Sequence, residues 1–272
     1  MGLGWINVEK YSFNSFLLLE RFQINLMFTG YSKNEEWKQY MGIALNENPA
    51  VKWYFEHRCP EQRDLIDEIV LKAPIVTEQA KIRKSEIFVL GSVEDFVTFT
   101  TPEVMDTNCK YIYGWNKERL FEMADFKDKV VLDVGSGSGR LAFAAAKIAK
   151  EVYASEPVET LREFIRNKAK CENIDNIWVA EALITSIPYP DNTFDIVMSG
   201  HVVGDDWDAE IAELTRVCKS GGFILDCPGE ETDHKSQPEL VKRGFEEMNY
   251  ISIYGFNVYR YRKQVINKAF IF

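Results

Sequence analysis

The stretch Val131-Leu132-Asp133-Val134-Gly135-Ser136-Gly137-Ser138-Gly139-Arg140 carries more structural instruction than any other part of the chain. A short apolar run holds an acid, and glycine then occupies every second position. Glycines this close permit positive φ and let a ligand lie against bare backbone. The residues that follow, Leu141 to Lys150, are rich in alanine and favour a helix. A strand therefore turns tightly into a helix whose first turn offers free N–H groups. An α/β protein builds its ligand cradle in this way, at the carboxyl end of the first strand.

The spacing narrows the choice of ligand. Dinucleotide sites use G-x-G-x-x-G, whereas Gly135, Gly137 and Gly139 read G-x-G-x-G. Asp133 stands just before the first glycine, where it would repel a pyrophosphate and attract an ammonium or a sulfonium. A second acid, Glu156, ends the run Val152-Tyr153-Ala154-Ser155-Glu156, about 20 residues past Gly135. A carboxylate at that distance accepts hydrogen bonds from both hydroxyls of a ribose.

With these residues in place, the chain resembles the class I S-adenosylmethionine-dependent methyltransferases of the small-molecule, type 11 kind. Val131–Arg140 is similar to the family's first motif and Glu156 to its ribose acid. The segment Ile187-Pro188-Tyr189-Pro190-Asp191-Asn192-Thr193-Phe194-Asp195 resembles the family's stretch before strand four. Leu214-Thr215-Arg216-Val217-Cys218-Lys219-Ser220-Gly221-Gly222 resembles the run before strand five, with Ser220 where the family usually has proline. The resemblance spans roughly residues 110 to 265. It implies S-adenosyl-L-methionine as co-substrate, a small-molecule methyl acceptor, no metal, and binding residues Asp133, Gly135, Ser136, Gly137, Gly139, Glu156 and Pro157. It further implies adenine contacts from Glu181 and Ala182, with Leu183 or Ile184 as the alternative, and contacts from Ser199 and Gly200 after strand four.

From Lys129 onward, strands and helices alternate. Strands are expected at Val130–Asp133, Val152–Glu156, Ile177–Ala180, Phe194–Ser199, Phe223–Cys227, Tyr250–Tyr254 and Asn257–Gln264. Helices are expected at Arg140–Lys150, Glu159–Cys171, Asp208–Cys218 and Pro238–Glu247. Such alternation implies a mostly parallel sheet with helices on both faces. The last two strands have no helix between them and should form a hairpin. The expectation is a Rossmann-like α/β domain with seven strands, one of them antiparallel, over residues 106–272. Residues 1–105 read as a mainly helical extension, with helices at Asn34–Asn46 and Ala50–His57 and another starting near Pro60. Its many aromatics suit a lid over an apolar acceptor, and core packing explains them equally well.

Composition sets limits. The 272 residues carry a net charge of −10, a poor match for nucleic acid. The longest basic run, Arg260-Tyr261-Arg262-Lys263, reads as a solvated strand face. Five scattered cysteines without a C-x-x-C pair argue against a disulfide framework or zinc site and suit a cytoplasmic protein. Phe16-Leu17-Leu18-Leu19 is too short to span a membrane, and Ile6 breaks the myristoylation pattern after Gly2. The oligomeric state is left open.

Three further positions attract a functional reading. His201 follows strand four, where active sites of open α/β sheets lie. It is the candidate base for an acceptor proton, against the plainer role of sealing a loop through a backbone hydrogen bond. Asp205 and Asp206 read as caps of the next helix. Tyr113, with Tyr111 and Trp115, lies just ahead of the sheet, where the resemblance places aromatics over the donor or the acceptor. His57, near Cys59, lacks partners for a metal site and reads as structural. The Asn/Asp-Pro-Pro-Tyr signature of amino methyltransferases is missing after strand four, which argues against nucleobase or glutamine acceptors.

Overall fold

The computed structural model describes residues 4–109, 112, 114–229 and 235–266. Two compact units divide the chain, Met1–Asn108 and Cys109–Phe272.

The first unit is helical: α1 (Arg21–Tyr31), α2 (Glu35–Glu47), α3 (Pro49–Arg58), α4 (Arg63–Lys72), α5 (Gln79–Ser92), α6 (Glu94–Phe99) and α7 (Glu103–Asn108). Asn34 caps α2 by accepting from the Trp37 amide, and Pro49 opens α3 with its preset φ. Phe13, Phe16, Phe28, Trp37 and Phe55 are buried in one core. Phe28 meets both Trp37 and Phe55 edge-on at ring separations of 5.6 and 5.5 Å. Core packing therefore uses these aromatics, and their number gives no ground for an aromatic acceptor. His57 is structural: its ring stacks on Trp53 at 3.8 Å, and Nδ1 lies 2.7 Å from the Trp53 carbonyl.

The second unit holds a seven-stranded sheet in the order β3-β2-β1-β4-β5-β7-β6. The strands are β1 (Val130–Val134), β2 (Glu151–Ser155), β3 (Ile177–Ala180), β4 (Phe194–Ser199), β5 (Cys218–Asp226), β6 (Glu246–Ile251) and β7 (Asn257–Gln264). β1 to β5 pair in parallel, and β7 runs antiparallel to both neighbours. Strand order reverses between β1 and β4, so a crevice opens outside their carboxyl ends.

One face of the sheet buries Val131, Ala154, Ile196, Met198 and Leu225 beneath α8 (Glu118–Phe121), α9 (Arg140–Ala145) and α10 (Glu159–Cys171). Leu161, Ile165 and Ala169 repeat every four residues, which gives α10 its buried stripe. The other face buries Leu132, Val134, Val197 and Ile224 against α11 (Trp207–Val217) and α12 (Pro238–Lys242). Residue-by-residue alternation along β1 thus sends Asp133 toward α9 and its neighbours the other way.

Several boundaries differ from the sequence reading. The helix expected to reach Lys150 ends at Ala145, and the chain continues in tighter turns, with Ile148 N donating to the Ala145 carbonyl. Asn176 Nδ2 donates to the Ala146 and Ala149 carbonyls, so a side chain satisfies that end. The helix expected over Pro238–Glu247 stops at Lys242 because Gly244 turns left-handed at φ 84°. The released residues become β6, four residues earlier than expected. β5 begins at Cys218, bulges through Lys219–Gly222, and regains pairing at Phe223.

Candidate functional site

The loop after β1 is held by its own neighbours. Gly135 N and Ser136 N donate to the Ser155 carbonyl at 2.8 and 3.1 Å, and Gly139 N donates to the Ser136 carbonyl at 2.8 Å. Gly137 N donates to Glu156 Oε2 at 2.9 Å. Gly135, Gly137 and Gly139 all take positive φ, a conformation cheap only for glycine. Four loop amides thus have partners inside the protein. A pyrophosphate would need them; a cationic nucleoside would not. One wall of this loop belongs to the protein itself, since a methyl group on Gly135 would meet Val202 Cγ2 at 2.5 Å.

Asp133 is 1% exposed, and its Oδ2 accepts from Ala142 N at 2.9 Å. It supplies the first turn of α9 with the cap that Gly139 lacks. Burial pushes its carboxyl up to about 7, opposed by Arg140 and by hydrogen bonds. Ser136 Oγ donates to the Asp133 carbonyl. Glu156 Oε1 accepts from Val158 N at 2.9 Å, so each of its oxygens takes one backbone amide. An ionised carboxylate has about four acceptor sites, which leaves two for ribose hydroxyls. Burial raises Glu156 to about 7 as well. Arg162 donates to the Glu156 and Pro157 carbonyls and orients this corner.

Other expected contacts divide. Ala182 is buried, while the Glu181 side chain is 75% exposed, 3.8 Å from Arg162. A turn with Ser186 N on the Leu183 carbonyl leaves Leu183 exposed and packs Ile184 against the core. Ser199 Oγ lies 3.4 Å from Asp226 Oδ1. Gly200 has no room for a side chain: a Cβ would stand 2.5 Å from the Cys227 carbonyl oxygen and 2.8 Å from Arg140 Nη2. His201 sits at φ 64°, and its Nε2 accepts from Gly229 N at 2.6 Å. That lone pair is therefore engaged in joining the loops after β4 and β5. Asp206 caps α11 through Ala209 N, while the Glu210 carboxylate accepts from the amides of Gly204, Asp205 and Asp206. Tyr113 and Tyr111 lie outside the described residues; Trp115 is described and buried.

Three residues at the crevice escaped the sequence reading. Ser138 is 2% exposed, and its hydroxyl has no partner among the described residues. Asp226, at the carboxyl end of β5, is pushed up to about 7 by burial. Arg140 reaches from the glycine loop to donate to the Cys227 carbonyl. All three stand beside residues the sequence marked, but burial and reach are invisible in one dimension. Among the described residues no group of three metal-ligating side chains occurs, and no helix is long and apolar enough to cross a membrane. No disulfide joins the cysteines among the described residues.

Buried acids thus stand beside an internally satisfied glycine loop at the switch point of a parallel sheet, the place where open α/β sheets bind their ligands. Residues 132–225 match the family described as methyltransferase domain. A demethylmenaquinone methyltransferase from Geobacillus sp. (strain WCH70) is 30% identical over 141 residues, covering 50% of this chain and 57% of that protein. An uncharacterized methyltransferase from Schizosaccharomyces pombe is 36% identical over 153 residues, covering 51% of each chain. A solved SAM-dependent methyltransferase from Aquifex aeolicus shares the fold at a TM-score of 0.51 and 18% identity, covering 62% of this chain and 98% of that one. The chain spans about half the length of the curated relatives it matches. The second unit thus carries a methyltransferase domain on the fold of the class I S-adenosylmethionine-dependent methyltransferases.

Proposed function

We propose that this chain transfers a methyl group from S-adenosylmethionine to a small-molecule acceptor. The observation that carries the reading is the pairing of two buried carboxylates, Asp133 and Glu156, with a glycine loop whose amides are already satisfied. Bound there, the donor supplies a methyl group activated by the positive charge of its sulfonium. Glu156 would hold the ribose hydroxyls with its two remaining acceptor sites. Asp133 would face the cationic end, and the orphaned Ser138 hydroxyl would gain a partner.

The protein's remaining task is alignment and exclusion of water. Arg140, Gly200 and Cys227 would wall the acceptor's side of the crevice, beyond β4 and β5. The matches to demethylmenaquinone methyltransferases support a small-molecule acceptor, and a net charge of −10 disfavours nucleic acid. Five scattered cysteines without a C-x-x-C pair suit a reducing compartment such as the cytoplasm. Calorimetric titration of the full chain with S-adenosylmethionine and S-adenosylhomocysteine, followed by labelled-methyl transfer into a metabolite extract, tests the reading. Failure to bind either nucleoside would refute it.

A further inference from the structure

Beyond the end of β5, a small hollow gathers three arginines. Trp115, Arg119, Arg140, Pro228, Tyr250 and Arg260 line it. The Arg140 guanidinium lies 4.8 Å over the Trp115 ring, and Arg119 and Arg260 lie 4.7 and 4.6 Å over Tyr250. Arg260 is 5% exposed. Its Nη1 donates to the Arg119 carbonyl and its Nη2 to Glu122 at 3.1 Å, while its buried Nε has no partner. Glu122 also pairs with Arg119 at 2.8 Å. One carboxylate thus serves two arginines, and Arg140 adds a third positive charge.

This arrangement runs against the rest of the molecule. The chain is strongly acidic, yet positive charge concentrates where the acceptor side of the sheet opens. A buried N–H without an acceptor is costly to leave unmade. The hollow has room for roughly one water-sized group, which suits a single carboxylate oxygen. Arg140 connects the hollow to the donor crevice, since it also touches Cys227 and the face of Gly200.

We propose that this hollow binds the carboxylate of a small organic acid, and that the methyl acceptor carries that carboxylate. The unpartnered Nε–H of Arg260 can donate one charge-assisted hydrogen bond to a carboxylate oxygen, and the flanking rings shield the pair from water. Naming the ligand an acceptor rests on the methyl-transfer reading; affinity for a carboxylate does not.

Separate calorimetric titrations of the full chain with benzoate, benzamide and S-adenosylhomocysteine test this. Benzoate should bind saturably, and benzamide, its uncharged analogue, about tenfold or more weakly. Arg260→Gln should weaken benzoate about tenfold, the loss expected for one charge-assisted hydrogen bond, and leave S-adenosylhomocysteine affinity unchanged. Arg119→Gln, on a partly exposed side chain, gives a second variant that keeps the buried guanidinium in place. Absent benzoate binding, equal binding of the two probes, or benzoate affinity untouched in both variants would overturn the site. Arginine-dependent benzoate binding without nucleoside binding would uphold the carboxylate site and sink the methyl-transfer reading. Nucleoside binding without benzoate binding would do the reverse.

Discussion

The Gly137 amide donates to Glu156 at 2.9 Å, tying the loop after β1 to the end of the neighbouring strand β2. The same carboxylate accepts from Val158 N on its other oxygen. Loop geometry and the proposed ribose contact therefore depend on one side chain.

Glu156→Gln places an NH2 where one backbone donor now finds an oxygen. Leaving a buried donor unsatisfied costs about 1–3 kcal/mol. A lowered melting temperature is expected, together with a fall of about tenfold or more in S-adenosylhomocysteine affinity by calorimetry. Unchanged affinity would remove Glu156 from the donor site.

Asp133, Glu156 and Asp226 each stand near 7 in the folded chain because of burial, against about 4 when unfolded. Between those values the folded state binds more protons than the unfolded. Their contribution to stability therefore falls as pH rises from about 4 to about 7 and levels off above. A cationic donor favours the ionised carboxylates. The rise in melting temperature that S-adenosylmethionine gives should be larger at pH 8 than at pH 5.5, and a larger rise at pH 5.5 would contradict this assignment of charge.

Two glycines should respond oppositely to alanine. At Gly200 a Cβ would strike the Cys227 carbonyl and Arg140, and such overpacking costs about 1–3 kcal/mol. At exposed Gly30, within α1, a Cβ meets nothing within 4 Å. There alanine should stabilise by up to about 1 kcal/mol. Chemical denaturation of both variants reads the difference, and equal effects would mean that the approach of Arg140 to Gly200 is not fixed.

His201 adopts a left-handed backbone that asparagine also tolerates. With Nε2 occupied by Gly229 N, His201→Asn should lower turnover by less than about tenfold and leave the pH profile in place. A loss of about a hundredfold or more, with one limb of the profile gone, would instead mark a general base.

Much of the candidate donor site was legible because it is local. Asp133, the alternating glycines and the strand–turn–helix pattern occupy ten consecutive residues, and Glu156 follows at the distance that one helix and one strand impose. The parallel order of β1 to β5 follows from the same alternation. Boundaries failed where a distant group intervened: Asn176 closes the end of α9, and the open edge of β7 takes up residues that read as helix.

Sequence by itself determined the class of fold and the chemistry of its glycine loop, because both are written in neighbouring side chains and their period. Only tertiary structure decided that the loop amides are spent internally, that Gly200 yields its space to Arg140, and that Arg119, Arg140 and Arg260 converge. Those facts depend on pairing between strands and loops far apart in the chain. Burial and approach arise from that packing, and no single segment encodes them.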